Sequence, residues 1–383
     1  MSYSPLWETP FFEDRHRALA ERLLAWDIPH VDHDTQDFEA PARALLASMA
    51  EQDLLELVVP REGQAFDLRS ICLAREIIGY RSGGLADSVF IMQGIGTGAL
   101  ALSGAHDTPA LASARSGRTI AAFALTEPVA GSDVANITTT ALHNGVEWVL
   151  NGDKTFITNA GIADHYIIVA RTGEAPGSRG LSAFLVDAGT PGLVTEQQRY
   201  VAAHPGGNLT LTDCRVPTDR LIGAPGGGFK LAMQTFDIFR ASVGAAAIGF
   251  ARRALDEAVE RTASREMFGK PMNAIEGVQS KLAEMATAVE GAALLVYRAA
   301  WAKDISGGRC TREVSMAKMV ATEAAQQVID DAVQLFGGLG VTHGSVVERL
   351  YREVRPMRIY EGASEVQKLI IGRDIAASAG EPK

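Results

Sequence analysis

Two changes of hydrophobic period, one at Arg118 and one after Pro225, constrain this chain more than any other feature. Up to residue 118 the apolar residues recur at helical spacing. Residues 11–26 place Phe12, Leu19, Leu23 and Leu24 on one face, and 39–57 do the same with Ala44, Leu45, Met49, Leu54 and Leu55. Asp67 reads as the N-cap of a helix to Tyr80, with Ile71, Ala74, Ile77 and Ile78 on one side. After Gly83-Gly84, residues 86–104 read as a buried helix and 108–116 as a short one. From 119 onward, short apolar runs bounded by turn residues read as strands, at 119–125, 138–141, 146–150, 166–170, 181–186 and 209–212. Asn144-Gly145 is a type I′ hairpin signal and Asn151-Gly152 a second turn signal. Beyond the glycine-rich linker at 225–228 the helical period returns at 229–263, 278–305, 311–336, 343–352 and 364–378. The expectation is an α+β chain with an N-terminal all-helical domain (1–118), a central β-domain (119–222) and a C-terminal helical bundle (223–383). The β-domain is expected as a barrel-like or sandwich arrangement of seven or eight strands, and the bundle as four helices.

Composition narrows the function. The net charge is −10 and no Lys/Arg run is present, which argues against a nucleic-acid partner and a polybasic membrane anchor. The longest apolar run, 241–251, is too short to span a bilayer and rich enough in Ala and Gly to suit close helix packing. Residues 1–13 have neither the basic nor the apolar region of a signal peptide. Cys72, Cys214 and Cys310 are far apart and suit a reducing cytoplasm. His30-Val31-Asp32-His33-Asp34 lacks a metal-ligand spacing, so no metal site is expected. The glycines at 94–98 and 225–228 lack the strand-then-loop context of a phosphate cradle.

Five stretches carry chemistry. The last of them is Arg358-Ile359-Tyr360-Glu361-Gly362-Ala363-Ser364-Glu365-Val366-Gln367, with a carboxylate between an aromatic residue and a glycine at the entry to a helical pattern. Taken alone, Glu361 is either a helix-entry acid favoured by the helix dipole or a base positioned to take a proton. The others are Phe123-Ala124-Leu125-Thr126-Glu127-Pro128-Val129-Ala130-Gly131-Ser132-Asp133, Asn151-Gly152-Asp153-Lys154-Thr155-Phe156-Ile157-Thr158-Asn159, Arg265-Glu266-Met267-Phe268-Gly269-Lys270-Pro271 and Gln334-Leu335-Phe336-Gly337-Gly338-Leu339-Gly340.

In this order, across the whole chain, the five blocks resemble the acyl-CoA dehydrogenase family. The resemblance implies FAD as cofactor and oxidation of the Cα–Cβ bond of an acyl-CoA thioester to the trans-2-enoyl product. It makes Glu361 the base for the Cα proton and gives the β-hydride to flavin N5. The thioester oxygen would be held by the backbone N–H of Glu361 and a flavin ribityl hydroxyl. By the same resemblance, Phe123, Leu125 and Thr126 meet the flavin ring, Phe156 and Thr158 lie beside it, and Gly131 and Ser132 lie near the pyrophosphate. Arg265, Phe268, Gln334, Gly337 and Gly338 reach FAD across a subunit boundary, and Ala363 and Glu365 touch the cofactor after the base. Ser132, Asp237, Arg240 and Gly362 are implied on the substrate side. A homotetramer and an electron-transfer flavoprotein as electron acceptor follow from the same likeness. Without it, Phe123, Leu125 and Phe268 read equally as core, Arg265 as a solvated helix-end charge, and Gly337-Gly338 as a helix C-terminus. The chain departs from the common pattern at Ala363, at Met267, at Ile275-Glu276 and over 200–208. Bulky Phe90, Met92 and Gln93 suggest a short, branched or cyclic acyl group. The alternatives are a same-fold oxidase, a dehydrogenase acting on a carrier-protein-bound acyl group, or a flavin monooxygenase. Glu361 argues against the last.

Overall fold

The computed structural model describes residues 6–378, apart from 107 and 309. Residues 1–5, at the start of the stretch weighed as a signal peptide, and the expected tail at 380–383 lie outside the described residues.

The first five helices are α1 (Asp14–Ala25), α2 (Glu39–Glu51), α3 (Leu68–Arg81), α4 (Gly84–Leu102) and α5 (Pro109–Arg115). Eight strands follow: β1 (Ala121–Ala124), β2 (Thr140–His143), β3 (Glu147–Thr158), β4 (His165–Arg171), β5 (Leu181–Asp187), β6 (Leu193–Gln197), β7 (Gly206–Pro217) and β8 (Leu221–Ile222). After α6 (Gly228–Ser264) comes a small hairpin of β9 (Glu266–Met267) and β10 (Lys270–Pro271). The chain ends with α7 (Glu276–Ser306), α8 (Thr311–Phe336), α9 (Val346–Val354) and α10 (Ser364–Ser378). Helix, sheet, helix is therefore the order along the chain. The compact units do not follow three successive segments. One comprises Met1–Asp27, Asp67–Asp87 and Phe239–Lys383, and the other Ile28–Phe66 and Ser88–Ile238.

The first unit recruits α3 into the C-terminal bundle, for a reason written in its side chains. The sequence shows one apolar face on α3, yet the helix is buried on all sides from Leu68 to Gly79, charged residues included. Asp67 caps it as expected, accepting from the Ser70 N–H at 3.3 Å. Arg69 is closed by Asp304 at 2.8 Å. Glu76 is closed by Arg252 at 2.7 Å and by the Tyr297 hydroxyl at 2.5 Å. Pairing of this kind offsets the cost of taking charge out of water. Gly79 and Gly249 let α3 and α6 approach: a Cβ on Gly79 would meet the Phe250 ring at 3.0 Å, and one on Gly249 would strike the Glu76 carbonyl. The Ala/Gly run of 241–251 does pack closely, with Gly244 against Val296, Ala317 and Ala321.

In the second unit all eight strands join one hydrogen-bonded sheet in the order β6-β7-β3-β2-β4-β5-β8, with β1 also on β4. β1 and β2 both run parallel to β4, at His165–Ile168 and at Arg171, so the sheet forks there. Two turn readings are corrected. Asn144-Gly145 is not a two-residue type I′ turn, because only Gly145 has positive φ. The Asn144 side chain instead accepts from the Val146 and Glu147 N–H groups at 3.0 Å and makes a longer Asx-type loop. Asn151-Gly152 is no turn: it lies inside β3 as a bulge opposite β7, where a Cβ on Gly152 would collide with Thr139. β6 is not legible in the sequence, since it is mostly exposed and polar. One helix among the described residues, α4, is long and apolar enough to cross a membrane, and its apolar window is 94% buried in the protein.

Candidate active site

Glu361 lies on a turn that leads into α10 but precedes its first residue, Ser364; the acid in the first helical turn is Glu365. The helix-entry explanation therefore belongs to Glu365. Glu361 and Gly362 are both left-handed, with φ of 52° and 90°. The turn is held from two sides. Lys318 of α8 donates to the Gly362 carbonyl at 2.9 Å, and the Gln367 amide donates to the same oxygen at 2.9 Å. Glu323 of α8 accepts from the Ser364 hydroxyl at 2.6 Å and pairs with Arg358 at 2.7 Å.

Oε2 of Glu361 is buried and has no hydrogen-bond partner among the described residues. Burial raises its pKa; Arg75, Lys318 and Arg240 pull it back down, and Asp87 adds to the rise. Burial also raises the Tyr360 phenol, against the pull of Arg75. Arg75 itself is closed on Asp87 by two hydrogen bonds of 2.7 and 2.6 Å and on the Ser242 hydroxyl at 3.0 Å. The surroundings of the Glu361 carboxylate within this unit are thus largely charged, and the motif alone points to neither Arg75 nor Lys318. Each is a lone cation inside an apolar helical stripe, and that is the signal the sequence offers for them.

The remaining implied residues of this unit lie mostly on its surface. Phe268 and Gly269, with φ of 53° and 77°, form the two-residue tip of the β9–β10 hairpin, a type I′ turn absent from the turns expected above. Phe268 is 90% exposed and Arg265 is exposed at the hairpin base. Gln334, Gly337 and Gly338 lie where α8 ends, Gly337 and Gly338 exposed, and Gly337 is its C-cap with φ 64°. Ala363 is half-buried, Glu365 exposed and Arg240 buried on α6, while half-buried Asp237, on the same helix, falls in the other unit.

The other unit holds the β-domain residues. Phe123 and Leu125 are buried, Phe123 edge-on to Phe236 at 5.5 Å. The first two β-domain stretches are joined by an ion pair that no spacing in the sequence announces. Lys154 reaches Glu127 at 2.8 Å and the Leu125 carbonyl at 3.0 Å, with both side chains buried. Glu127 also accepts from the Thr138 and Thr139 N–H groups at 2.6 and 2.9 Å. Burial works against the Glu127 carboxylate, but Lys154 and these donors hold it down at about 2. Burial lowers Lys154 to about 8. The clamp sets the exit of β1, where the Thr126 carbonyl accepts from Thr155 at 2.9 Å. Phe156 is 65% exposed at φ 57°, and the Thr158 hydroxyl meets His204 at 3.2 Å. Gly131 and Ser132 form an exposed turn in which a Cβ on Gly131 would meet nothing within 4 Å.

The model for the acyl-CoA dehydrogenase middle domain matches residues 122–214, and that for the C-terminal domain of the same family matches 226–376. The chain belongs to the acyl-CoA dehydrogenase family. It is 43% identical to the short-chain specific acyl-CoA dehydrogenase of Rattus norvegicus over 265 residues, which span 68% of this chain and 64% of that protein. It is 39% identical to the Bos taurus counterpart over 372 residues, 94% of this chain and 88% of that protein. Its fold matches that of butyryl-CoA dehydrogenase from Megasphaera elsdenii with a TM-score of 0.84 at 30% identity, over 98% of this chain and all of the other. Against that family background, three implied positions (Phe156, Phe268 and Glu361) are among the few non-glycine residues with left-handed backbone. Such strain concentrates at functional sites.

Proposed function

We propose that the chain is an FAD-dependent acyl-CoA dehydrogenase that forms the trans-2-enoyl thioester, with Glu361 removing the Cα proton. The observation that carries this reading is half-buried Glu361, whose Oε2 is buried without a partner among the described residues and which is fixed on a clamped left-handed turn. A base must be ionised before it accepts a proton and must tolerate becoming neutral afterwards. Burial serves the second need, and Arg75, Lys318 and Arg240 serve the first.

FAD supplies the acceptor for the β-hydride. The β-domain fits such a flat, phosphate-bearing group. Phe156 presents an exposed ring on strained backbone, and the open Gly131-Ser132 turn suits a phosphate. Phe123, Leu125, Thr126 and Thr158 are assigned to the ring. Gln93, read from sequence as a residue shaping the acyl pocket, is occupied elsewhere. Its amide donates to the Ala114 and Thr119 carbonyls and accepts from the Ala121 N–H. The names of the short-chain and butyryl-CoA relatives support a short acyl chain. An electron-transfer flavoprotein as acceptor belongs to the same reading, and the three free thiols support a reducing compartment such as the cytoplasm.

The test is anaerobic flavin bleaching against short, branched and cyclic acyl-CoAs. Glu361→Gln is expected to keep its yellow cofactor and lose turnover by about 10²–10⁴-fold. Bleaching at the wild-type rate in this variant would remove Glu361 from the mechanism. Comparing oxygen with a dye as acceptor in the same assay separates a dehydrogenase from an oxidase.

A further inference from the structure

We infer that Lys318 is a positioning residue for the base: its ammonium fixes the Gly362 carbonyl, and its charge holds Glu361 ionised between turnovers. This rests on the reading of Glu361 given above.

Lys318 is fully buried on α8, on a face with Ala317, Ala321 and Thr322. Its ammonium donates to the Gly362 carbonyl at 2.9 Å and forms no ion pair among the described residues. A buried ammonium without a touching carboxylate is costly unless nearby charges compensate. Burial lowers Lys318 to about 8; Glu361 is the leading charge opposing that, Glu323 and Glu365 add to it, and Arg240 works the other way.

The hydrogen bond by itself would not require a cation. The neutral Gln367 amide already reaches the same oxygen at 2.9 Å. What a lysine adds is charge beside the base. Of the cations facing Glu361, Arg75 is closed on Asp87, whose own effect on Glu361 runs in the opposite direction. Lys318 carries no such neutralising contact among the described residues. The coupling is mutual: when Glu361 takes the substrate proton, Lys318 loses its strongest compensation, so Lys318 disfavours the protonated base. Glu361 also sits in the strained left-handed region, and the two donors on the Gly362 carbonyl oppose relaxation of the turn. One side chain thus sets both the place and the charge state of the carboxylate.

The experiment measures kcat/KM against pH by substrate bleaching in the holoenzyme, with flavin content and Tm recorded for each variant. Lys318→Met is expected to move the acid limb upward by about one pH unit or more, because the base loses a stabilising cation. Gln367→Leu, which removes a neutral donor, is expected to lower the rate equally at all pH values. Lys318→Arg keeps the charge, so its acid limb stays in place, and a rate change near pH 8 present in the wild type disappears because arginine does not deprotonate. An unmoved acid limb in Lys318→Met overturns the inference. If that variant does not fold, an inflection near pH 8 that survives in Lys318→Arg overturns it instead. Wild-type bleaching by Glu361→Gln defeats the reading of the base itself. Loss of bleaching there with an unmoved limb in Lys318→Met removes Lys318 alone.

Discussion

Glu361, the proposed base, is held with Gly362 by backbone as much as by side chains. A left-handed glutamate turns its carboxylate where a helical or extended residue could not, and Gly362 at φ 90° completes the turn. A Cβ on Gly362 would collide with the Gln367 amide that clamps the turn. Gly362→Ala is therefore expected to cost about 10²-fold in kcat with little loss of Tm, since the defect is local. Steady-state kinetics beside a thermal melt check this. Wild-type kcat would show that the turn geometry is dispensable. Glu361 is legible from its motif, whereas Lys318, which clamps the turn from α8, is not, because a lysine 43 positions earlier has no sequence link to it.

At the scale of elements, the Glu127–Lys154 pair ties the exit of β1 to β3 and so sets where Thr126 sits. The two partners contribute to stability with opposite sign. The Glu127 carboxylate is held at about 2, so its stabilisation is full above pH 4.5 and is lost as pH falls toward 2. That contribution is about 3 kcal/mol. Lys154 is lowered to about 8, so keeping it charged below that pH opposes folding. The pair as a whole is then close to neutral, while removing one partner strands the other. Lys154→Met is expected to destabilise the chain by about 3–5 kcal/mol at pH 7, read by urea unfolding. That loss is expected to shrink on acidification, as Glu127 takes up a proton. A loss that stays constant from pH 7 to pH 3 would contradict the assignment. Both residues lie inside stretches that the family resemblance gives to the cofactor, and their pairing is visible only in the fold, which brings the exit of β1 against β3.

For the whole molecule, the helical unit leaves large apolar side chains in solvent: Phe268 is 90% exposed, Val341 73%, Ile359 59% and Leu369 56%. A phenylalanine at a hairpin tip adds nothing to a monomer's core and is available for association. We propose the homotetramer on this ground, with Arg265 and Phe268 reaching the cofactor of a neighbouring subunit. Arg265→Ala is expected to lower flavin occupancy or the tetramer fraction, measured by the flavin-to-protein absorbance ratio and by light scattering after gel filtration. If neither changes, the pyrophosphate contact lies elsewhere.

The sequence by itself determined the succession of helix, sheet and helix, the long bundle helices and the candidate base. Each of these is written in local period or in a contiguous motif. The limits of α8 and α10 agree with those read from the helical period. Only the tertiary structure decided that α3 joins the bundle, that Asn151-Gly152 is a bulge, that Gln93 is spent on backbone, and that Arg75, Lys318 and Arg240 act on Glu361. These depend on which distant groups must satisfy one another once water is excluded. A buried charge or carbonyl takes its partner from whatever the packing brings within about 3 Å, and nothing in the spacing along the chain records that choice.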